Sequence, residues 1–268
     1  MRRQALHPRR IIGGIGGLLP PGPVSTFVPP PPFSPLDIAG LVFWQDPSDA
    51  TSFTESAGIV TARTNKVSLD SVSPAAGPGY SATLINGFPG FDYNGTTQQI
   101  ITAEAAVNAA LVNAHAYTLI GVWAAQTVDR NDAFFGTGNS GIAGNNTRSW
   151  GQSSSATGRH RSVTQNDVGT VVTVIGTKQS DANAHVFCFH SPGTTVSWEI
   201  DQVADVTGAA QDPGTLTSNR VANGSRPDSV PDTFADALEG EVLLYDSELS
   251  AGDITTLCNY MKAKWGTP

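Results

Sequence analysis

The first 36 residues constrain the fold most, because such a segment cannot contribute to a packed core. They contain nine of the 18 prolines, including the run Pro29–Pro32, and five glycines. Proline lacks a backbone N–H donor and glycine is costly to order, so neither a helix nor a sheet ladder forms readily here. We expect residues 1–36 to be an extended arm that partners hold in place, and residues 37–268 to carry the fold.

The arm also has side chains suited to anchoring. Of the 15 basic residues, four lie in its first ten positions, which leaves the rest of the chain with 11 basic against 23 acidic residues, a net charge of −12. A basic arm on an acidic body suits the acidic face of a neighbouring subunit, whereas four arginines are a weak signal for nucleic acid. The residues predicted to bind partners are Arg2, Arg3, Arg9, Arg10, Ile11, Ile12, Leu18 and Leu19.

Membrane insertion and a disulfide framework are both disfavoured by the sequence. The longest apolar candidate, Ile11–Leu19, has nine residues of which four are glycine, well short of the ~20 that a membrane-spanning helix needs. The two cysteines, Cys188 and Cys258, lie in apolar surroundings. We expect buried free thiols, and a single long-range disulfide is the alternative.

The body of the chain has the pattern of an all-β protein. Only 14% of the residues are charged, glycines number 28, and short apolar runs alternate with Gly, Asn, Asp, Ser and Pro. This pattern predicts a two-sheet antiparallel jelly-roll sandwich. Tyr117–Ala125 is the strongest strand, with Tyr117, Leu119 and Trp123 on one face and Ile120 and Val122 on the other. Further strands are predicted at Leu41–Trp44, Val171–Ile175, His185–His190, Thr195–Asp201 and Glu241–Tyr245.

Two segments have helical patterns. Glu104–Asn113 is rich in alanine, and a clearer helix closes the chain. Ser250 is a candidate N-cap with Asp253 three residues later, and Gly266 is a candidate terminator. Between them an apolar stripe at helical spacing should pack on the sandwich; it consists of Ile254, Leu257, Cys258, Met261 and Trp265.

Several of these segments resemble one fold family in the same order along the chain. Phe234–Ser250 and Tyr260–Gly266 are similar to the final strand and short Lys-Trp-Gly helix of laminin-G-like, concanavalin A-like jelly-roll domains. Asn86–Gly95 resembles their early Pro…Phe-Asp-Gly turn. The matches span residues 37–266, and the remaining matching strands are Leu41–Asp46, Thr118–Trp123 and Trp198–Asp201.

The resemblance implies a fold and a set of functions to choose from. Domains of this family occur in bacteriophage particles, on bacterial surfaces and in glycan-binding modules. Together with the arm, it leads us to expect a non-enzymatic structural protein of a bacteriophage virion, exposed on the particle surface. Its partners would be other capsid or tail proteins, with a homo-oligomer also open. The alternative is a glycan-binding module for host adsorption, and a more distant one is a polysaccharide hydrolase.

The hydrolase alternative depends on Glu199 and Asp201. Retaining β-glucanases of this fold carry a Glu-x-Asp strand followed by a second Glu, but Val203 occupies that face here. Retaining hydrolysis needs two carboxyl groups ~5–5.5 Å apart. We therefore expect no catalytic residue in this stretch.

Candidate ligand-binding residues are few. The five histidines have no metal-ligand spacing, and His185, next to Phe187 and Phe189 on one strand face, is expected to be hydrogen-bonded and half-buried. No cofactor is expected apart from Ca²⁺, for which the loop residues Asp129, Asn131 and Asp132 offer hard oxygen ligands. Trp150, beside a serine-rich loop, is the aromatic residue that we expect to stack on a sugar.

Overall fold

The computed structural model describes residues 32–128, 130–139, 147–153, 158–211, 214–226 and 233–268. Almost all of the arm, residues 1–31, lies outside this range, and with it the eight predicted partner-binding residues. Where the arm joins the body, Ser34 caps a short 3₁₀ turn, Pro35–Asp37. Phe33 contacts the ring of Tyr260 at 5.5 Å between centroids, so the chain already packs on the body at this point.

Seventeen strands and two α-helices make up the described part of the chain. The first eight strands are β1 (Leu41–Gln45), β2 (Phe53–Ser56), β3 (Ile59–Thr64), β4 (Ser71–Val72), β5 (Gly79–Ile85), β6 (Phe88–Asn94), β7 (Ile100–Thr102) and β8 (Tyr117–Ala125). The others are β9 (Asp132–Gly138), β10 (Thr147–Ser153), β11 (Arg159–Gln165), β12 (Val171–Gln179), β13 (His185–Ser191), β14 (Thr195–Ile200), β15 (Val203–Ala210), β16 (Arg220–Asn223) and β17 (Asp236–Tyr245). The helices are α1 (Ala105–Ala109) and α2 (Ala251–Trp265).

The strands form two antiparallel sheets packed face to face, as the sequence predicts. The larger sheet has the order β15-β14-β13-β8-β17-β6-β5-β3-β2, with β1 added to β17 and β4 to β3. The smaller sheet has the order β12-β11-β10-β9-β16-β7. The molecule is therefore an all-β jelly-roll sandwich with a short C-terminal helix.

Strand β8 is buried on both faces, and the predicted division of its side chains is confirmed. Tyr117, Leu119 and Trp123 join the aromatic core between the sheets. Ile120 and Val122 face the other way, into a second apolar layer under α2. The two layers make β8 the centre of the fold.

Helix α2 covers the outer face of the larger sheet. The Ser250 side chain accepts a hydrogen bond from the Asp253 amide at 3.2 Å, and Gly266 ends the helix with a φ of 61°, a left-handed conformation that glycine adopts without strain. The predicted stripe is buried along its whole length. Cys188 on β13 and Cys258 on α2 are both buried free thiols in this layer.

Helix α1 is shorter than the sequence predicts, mainly because it ends at Ala109 and Asn113, with a φ of 47°, donates its amide to the Leu216 carbonyl instead of continuing the helix. At the other end, Glu104 is the N-cap. The Glu104 carboxylate forms a buried ion pair with Arg63 at 3.2 Å and accepts hydrogen bonds from Asn65 and Thr102 at 2.5 and 2.8 Å. The helix therefore begins only at Ala105 and covers five residues.

Replacing Trp265 by Ala should lower the free energy of unfolding by on the order of 3–5 kcal/mol, because its side chain is fully buried beside Met261. Thr256→Ala, on the exposed side of the same helix, should change the free energy of unfolding by no more than about 0.5 kcal/mol. Chemical denaturation of both variants checks the difference. An unchanged midpoint for Trp265→Ala would show that α2 does not stabilise the sandwich.

Candidate functional site

A polar cleft opens at the edge of the sandwich, where β11, β12 and the start of β13 meet the β14–β15 turn. Its volume is about 270 Å³. Most of its lining is titratable or amide-bearing. The lining residues are His160, Lys178, Gln179, Asp181, His185, Ile200 and Asp201. We call it the His185 cleft.

His185 lies between two carboxylates. Its Nδ1 is 2.5 Å from Asp201 Oδ2, and its Nε2 is 2.8 Å from Asp181 Oδ1. The hydrogen bond to Asp201, followed by that to Asp181, raises the pKa of His185 despite its partial burial. The side chain is 18% exposed, so the expectation of a hydrogen-bonded, half-buried histidine is confirmed. Held at both nitrogens, the imidazole has one orientation.

The two carboxylates differ in their freedom to meet a ligand. Asp201 also accepts the Val186 amide at 3.0 Å. The Asp181 side chain is 52% exposed. Burial raises the pKa of Asp181, but hydrogen bonds from His185 and Asn183 outweigh this effect and lower that pKa to about 2. Asp181 is therefore an ionised acceptor at the mouth of the cleft.

A tight turn positions Asp201. The sequence pattern predicts a strand through Asp201, but β14 ends at Ile200 and the next two residues form the turn to β15. Asp201 and Gln202 have φ values of 53° and 66°, the left-handed conformations of a type I′ hairpin turn. The Asp201 amide donates to the Val186 carbonyl at 2.9 Å, which fixes the turn beside the start of β13.

The inner wall of the cleft carries an uncharged histidine. His160 on β11 is 3% exposed and meets the Phe187 ring edge-on at 4.7 Å. Burial lowers the pKa of His160 to about 4, so the ring is neutral at physiological pH. Its buried Nδ1 has no hydrogen-bond partner among the described residues.

Lys178 and Asp205 tie the two sheets together beside the cleft. The Lys178 ammonium donates to the carbonyls of Ile200 and Val203 at 3.2 and 3.1 Å. Asp205 accepts the backbone amide of Thr177 at 2.7 Å and that of Lys178 at 2.9 Å. These bonds join β12 of the smaller sheet to β14 and β15 of the larger one and keep the walls in place.

A second, larger cleft lies between the outer face of the larger sheet and the start of α2. It measures about 400 Å³ and is lined by Glu199, Glu248 and His190 together with apolar side chains of α2. His190 Nδ1 lies 2.9 Å from Glu248 Oε1. Glu199 thus opens on one cleft and Asp201 on the other, so the Glu-x-Asp pair does not converge on a common point.

Trp150 does not contact solvent, so its predicted role in stacking on a sugar is wrong. The side chain is wholly buried in the core, where its ring lies 5.3 Å from Tyr117 and 6.0 Å from Phe135. The prediction of an exposed ring rested on the neighbouring serine-rich loop. In the structure, Trp150 lies on β10 with its side chain directed into the core between the sheets.

The predicted calcium ligands do not form a site in the described residues. Asp129 lies outside them. Asp132 is buried, with Oδ1 paired to Arg130 at 2.6 Å and Oδ2 accepting Gln152 Nε2 at 2.9 Å. Asn131 lies in the same loop and is also engaged by protein groups. Because protein donors occupy both Asp132 oxygens, this carboxylate is structural, and no group of three or more His, Cys, Asp or Glu side chains in the described ranges is placed to hold a metal.

No helix in the described part of the chain is both long and apolar enough to span a membrane.

Comparison with solved structures finds similarity to part of a sialidase. The Trypanosoma rangeli sialidase in complex with the inhibitor DANA matches with a TM-score of 0.57 at 13% identity, over 85% of this chain and 34% of that chain. Another structure of this sialidase matches with a TM-score of 0.53 at 12% identity, over 82% of this chain and 33% of the sialidase. Its complex with 2,3-difluoro-KDN matches with a TM-score of 0.51 at 14% identity, over 82% of this chain and 32% of the sialidase. This chain spans about a third of the length of these sialidases, so the likeness concerns the fold.

No family model and no curated protein sequence matches the chain.

The structural neighbours contradict the leading functional expectation. We expected a non-enzymatic structural protein of a bacteriophage virion, but the neighbours are sialidases, which are glycoside hydrolases. These matches give no support to a phage particle.

The His185 hydrogen bonds predict a pH-dependent stability. Because the folded-state pKa of His185 is raised, its contribution is complete below the unfolded value of about 6.5 and is lost as pH rises through the folded value. The wild type should therefore have a higher thermal midpoint than His185→Gln, and this difference in midpoint should be larger at about pH 6 than at about pH 8.5. Thr256→Ala, which removes no titratable group, should show a gap that does not change with pH. A pH-independent gap for His185→Gln would contradict the pairing.

Proposed function

We propose that the protein is a glycan-binding module and that the His185 cleft is its sugar site. The observation that carries the proposal is the row of carboxylate, imidazole and carboxylate formed by Asp181, His185 and Asp201 at the cleft mouth. Ionised carboxylates are acceptors for hydroxyl groups, and such charge-assisted bonds are about twice as strong as neutral ones. A preformed cleft with a few fixed polar groups is the usual form of a small-ligand site.

The fold supports a carbohydrate-related role. The neighbouring sialidase structures include complexes with DANA and with sialic acid, and the sequence resembles laminin-G-like and concanavalin A-like domains, some of which bind glycans. We propose membership of that family on the order of the matching motifs. Fold likeness alone does not choose the sugar.

The hydrogen-bonding groups of the cleft narrow the class of ligand. The Lys178 ammonium already donates to two backbone carbonyls, and both His185 nitrogens are engaged by Asp201 and Asp181. Asp181 is the most exposed acceptor of the row. The proposed ligand is therefore a sugar that presents hydroxyl donors to Asp181.

Binding of the full chain to a glycan array, followed by calorimetry on the best ligand, tests the proposal. Asp181→Asn should weaken affinity about 10- to 100-fold, the size expected for losing a charge-assisted hydrogen bond. Asp70→Asn, at another exposed carboxylate, should bind like the wild type.

Two results would contradict the proposal. One is the absence of any glycan binding by the wild type. The other is equal affinity of the wild type and Asp181→Asn for the bound glycan. Release of reducing sugar from that glycan, measured in the same samples, would show in addition whether the cleft cleaves what it binds.

A further inference from the structure

An arginine without a carboxylate lies in the interior between the two sheets. Arg148 on β10 is 1% exposed. Its Nη2 donates to the Asn113 carbonyl at 2.9 Å, but Nε and Nη1 are buried with no hydrogen-bond partner. The ion pairs of the described residues do not include it. A buried charge without a partner is costly, so this position calls for compensation.

Three further buried polar side chains lie near the guanidinium. Its Cζ lies 5.2 Å from the centre of the Tyr117 ring, and that ring lies 5.3 Å from Trp150. Thr164 on β11 is directly opposite Arg148 in the sheet register. The Trp150 indole N–H is close to the Tyr117 hydroxyl, but the Tyr117 hydroxyl, Trp150 Nε1 and Thr164 Oγ1 make no hydrogen bond of normal geometry within the described residues. We call Arg148, Tyr117, Trp150 and Thr164 the donor cluster.

The chemistry of the donor cluster is one-sided. The arginine and indole nitrogens can only donate hydrogen bonds, and the two hydroxyls can donate as well. The two hydroxyl oxygens are its only acceptors, so donors outnumber acceptors, and because Arg148 is a cation the cluster also lacks a negative charge. A water molecule accepts a limited number of hydrogen bonds and brings no charge. A small anion supplies both the acceptor and the charge.

We propose that the donor cluster binds one small monovalent anion, chloride in solution, between the two sheets. The anion would accept hydrogen bonds from Arg148 Nε and Nη1, from the Tyr117 hydroxyl and from the Thr164 hydroxyl. It would thereby join β8 of the larger sheet to β10 and β11 of the smaller one. This site is separate from the His185 cleft and does not depend on the proposed glycan binding.

Thermal unfolding of the full chain in sodium chloride, with sodium gluconate keeping the ionic strength constant, tests the site. A ligand bound only by the folded state raises the midpoint with concentration. We expect a rise of about 5 °C for a hundredfold increase in chloride. A midpoint that does not depend on chloride would overturn the proposal and leave ordered water as the occupant.

Variants locate the effect. Arg148→Met should abolish the chloride dependence, whereas Arg159→Met, at an exposed position of β11, should keep it. Tyr117→Phe should fold and shift the response to several-fold higher chloride, which keeps the proposal testable if Arg148→Met does not fold. A chloride response unchanged in Tyr117→Phe would contradict the site.

Bromide replaces chloride in a direct test. An anomalous scattering peak beside Arg148 and Tyr117 in bromide-soaked crystals of the protein would support the site, and peaks confined to the surface would overturn it.

Discussion

The double burial of β8 is the constraint on which the rest of the structure depends. A strand that is apolar on both faces has to be covered on both. The smaller sheet covers one face through the aromatic core, and α2 covers the other. Gly121 allows the Trp123 ring to lie flat on the strand, since a Cβ there would come within 2.4 Å of the indole. Trp123 in turn pairs in register with His185, so the same strand places the His185 cleft.

Strand β17 carries two buried carboxylates, Glu239 and Glu241, and a bulge between them directs their side chains to opposite faces of the larger sheet. One contacts the aromatic core and the other contacts α2. In the register with β8, Glu239 pairs with Trp123 and Val242 with Gly121, which leaves one extra residue on β17. Glu239 then points into the core, where Trp123 and Asn223 donate to it at 3.3 and 3.1 Å. Burial is the main cause that raises the pKa of Glu239 to about 7.

Glu241 points the other way and holds the last turn of α2. Lys264 donates to it at 2.7 Å and Tyr260 at 3.0 Å. The helix is thus fixed by charge as well as by apolar burial. The sequence predicted the apolar stripe of α2 because its apolar residues recur at helical spacing. The N-cap and the terminal glycine of α2 were also predictable, since both are local signals. The sequence could not predict Glu239 and Glu241 as buried, since only the bulge separates them onto two faces.

Features of the molecule that depend on a local sequence pattern could be predicted, whereas features that depend on contacts between distant segments could not. A continuous apolar run identified β8, while β10 and β11 were not predicted because polar residues such as Arg148 and Thr164 occupy positions that face inward. The His185 cleft was only partly visible: a hydrogen-bonded His185 could be expected, but Asp181 lies in a loop and Asp201 in a turn that lacks the Asn-Gly signature. These carboxylates meet one imidazole only after β13, β14 and β15 have paired.

The same contacts support the proposed role of the cleft in glycan binding. Both imidazole nitrogens of His185 are engaged, Asp201 is fixed by the Val186 amide, and Lys178 is held by two carbonyls. A ligand therefore meets polar groups that are already oriented, and little side-chain entropy is lost on binding. The lining of the His185 cleft and the donor cluster share no residue. The proposed glycan site and the proposed anion site can therefore be altered one at a time, since a substitution in one removes no group of the other.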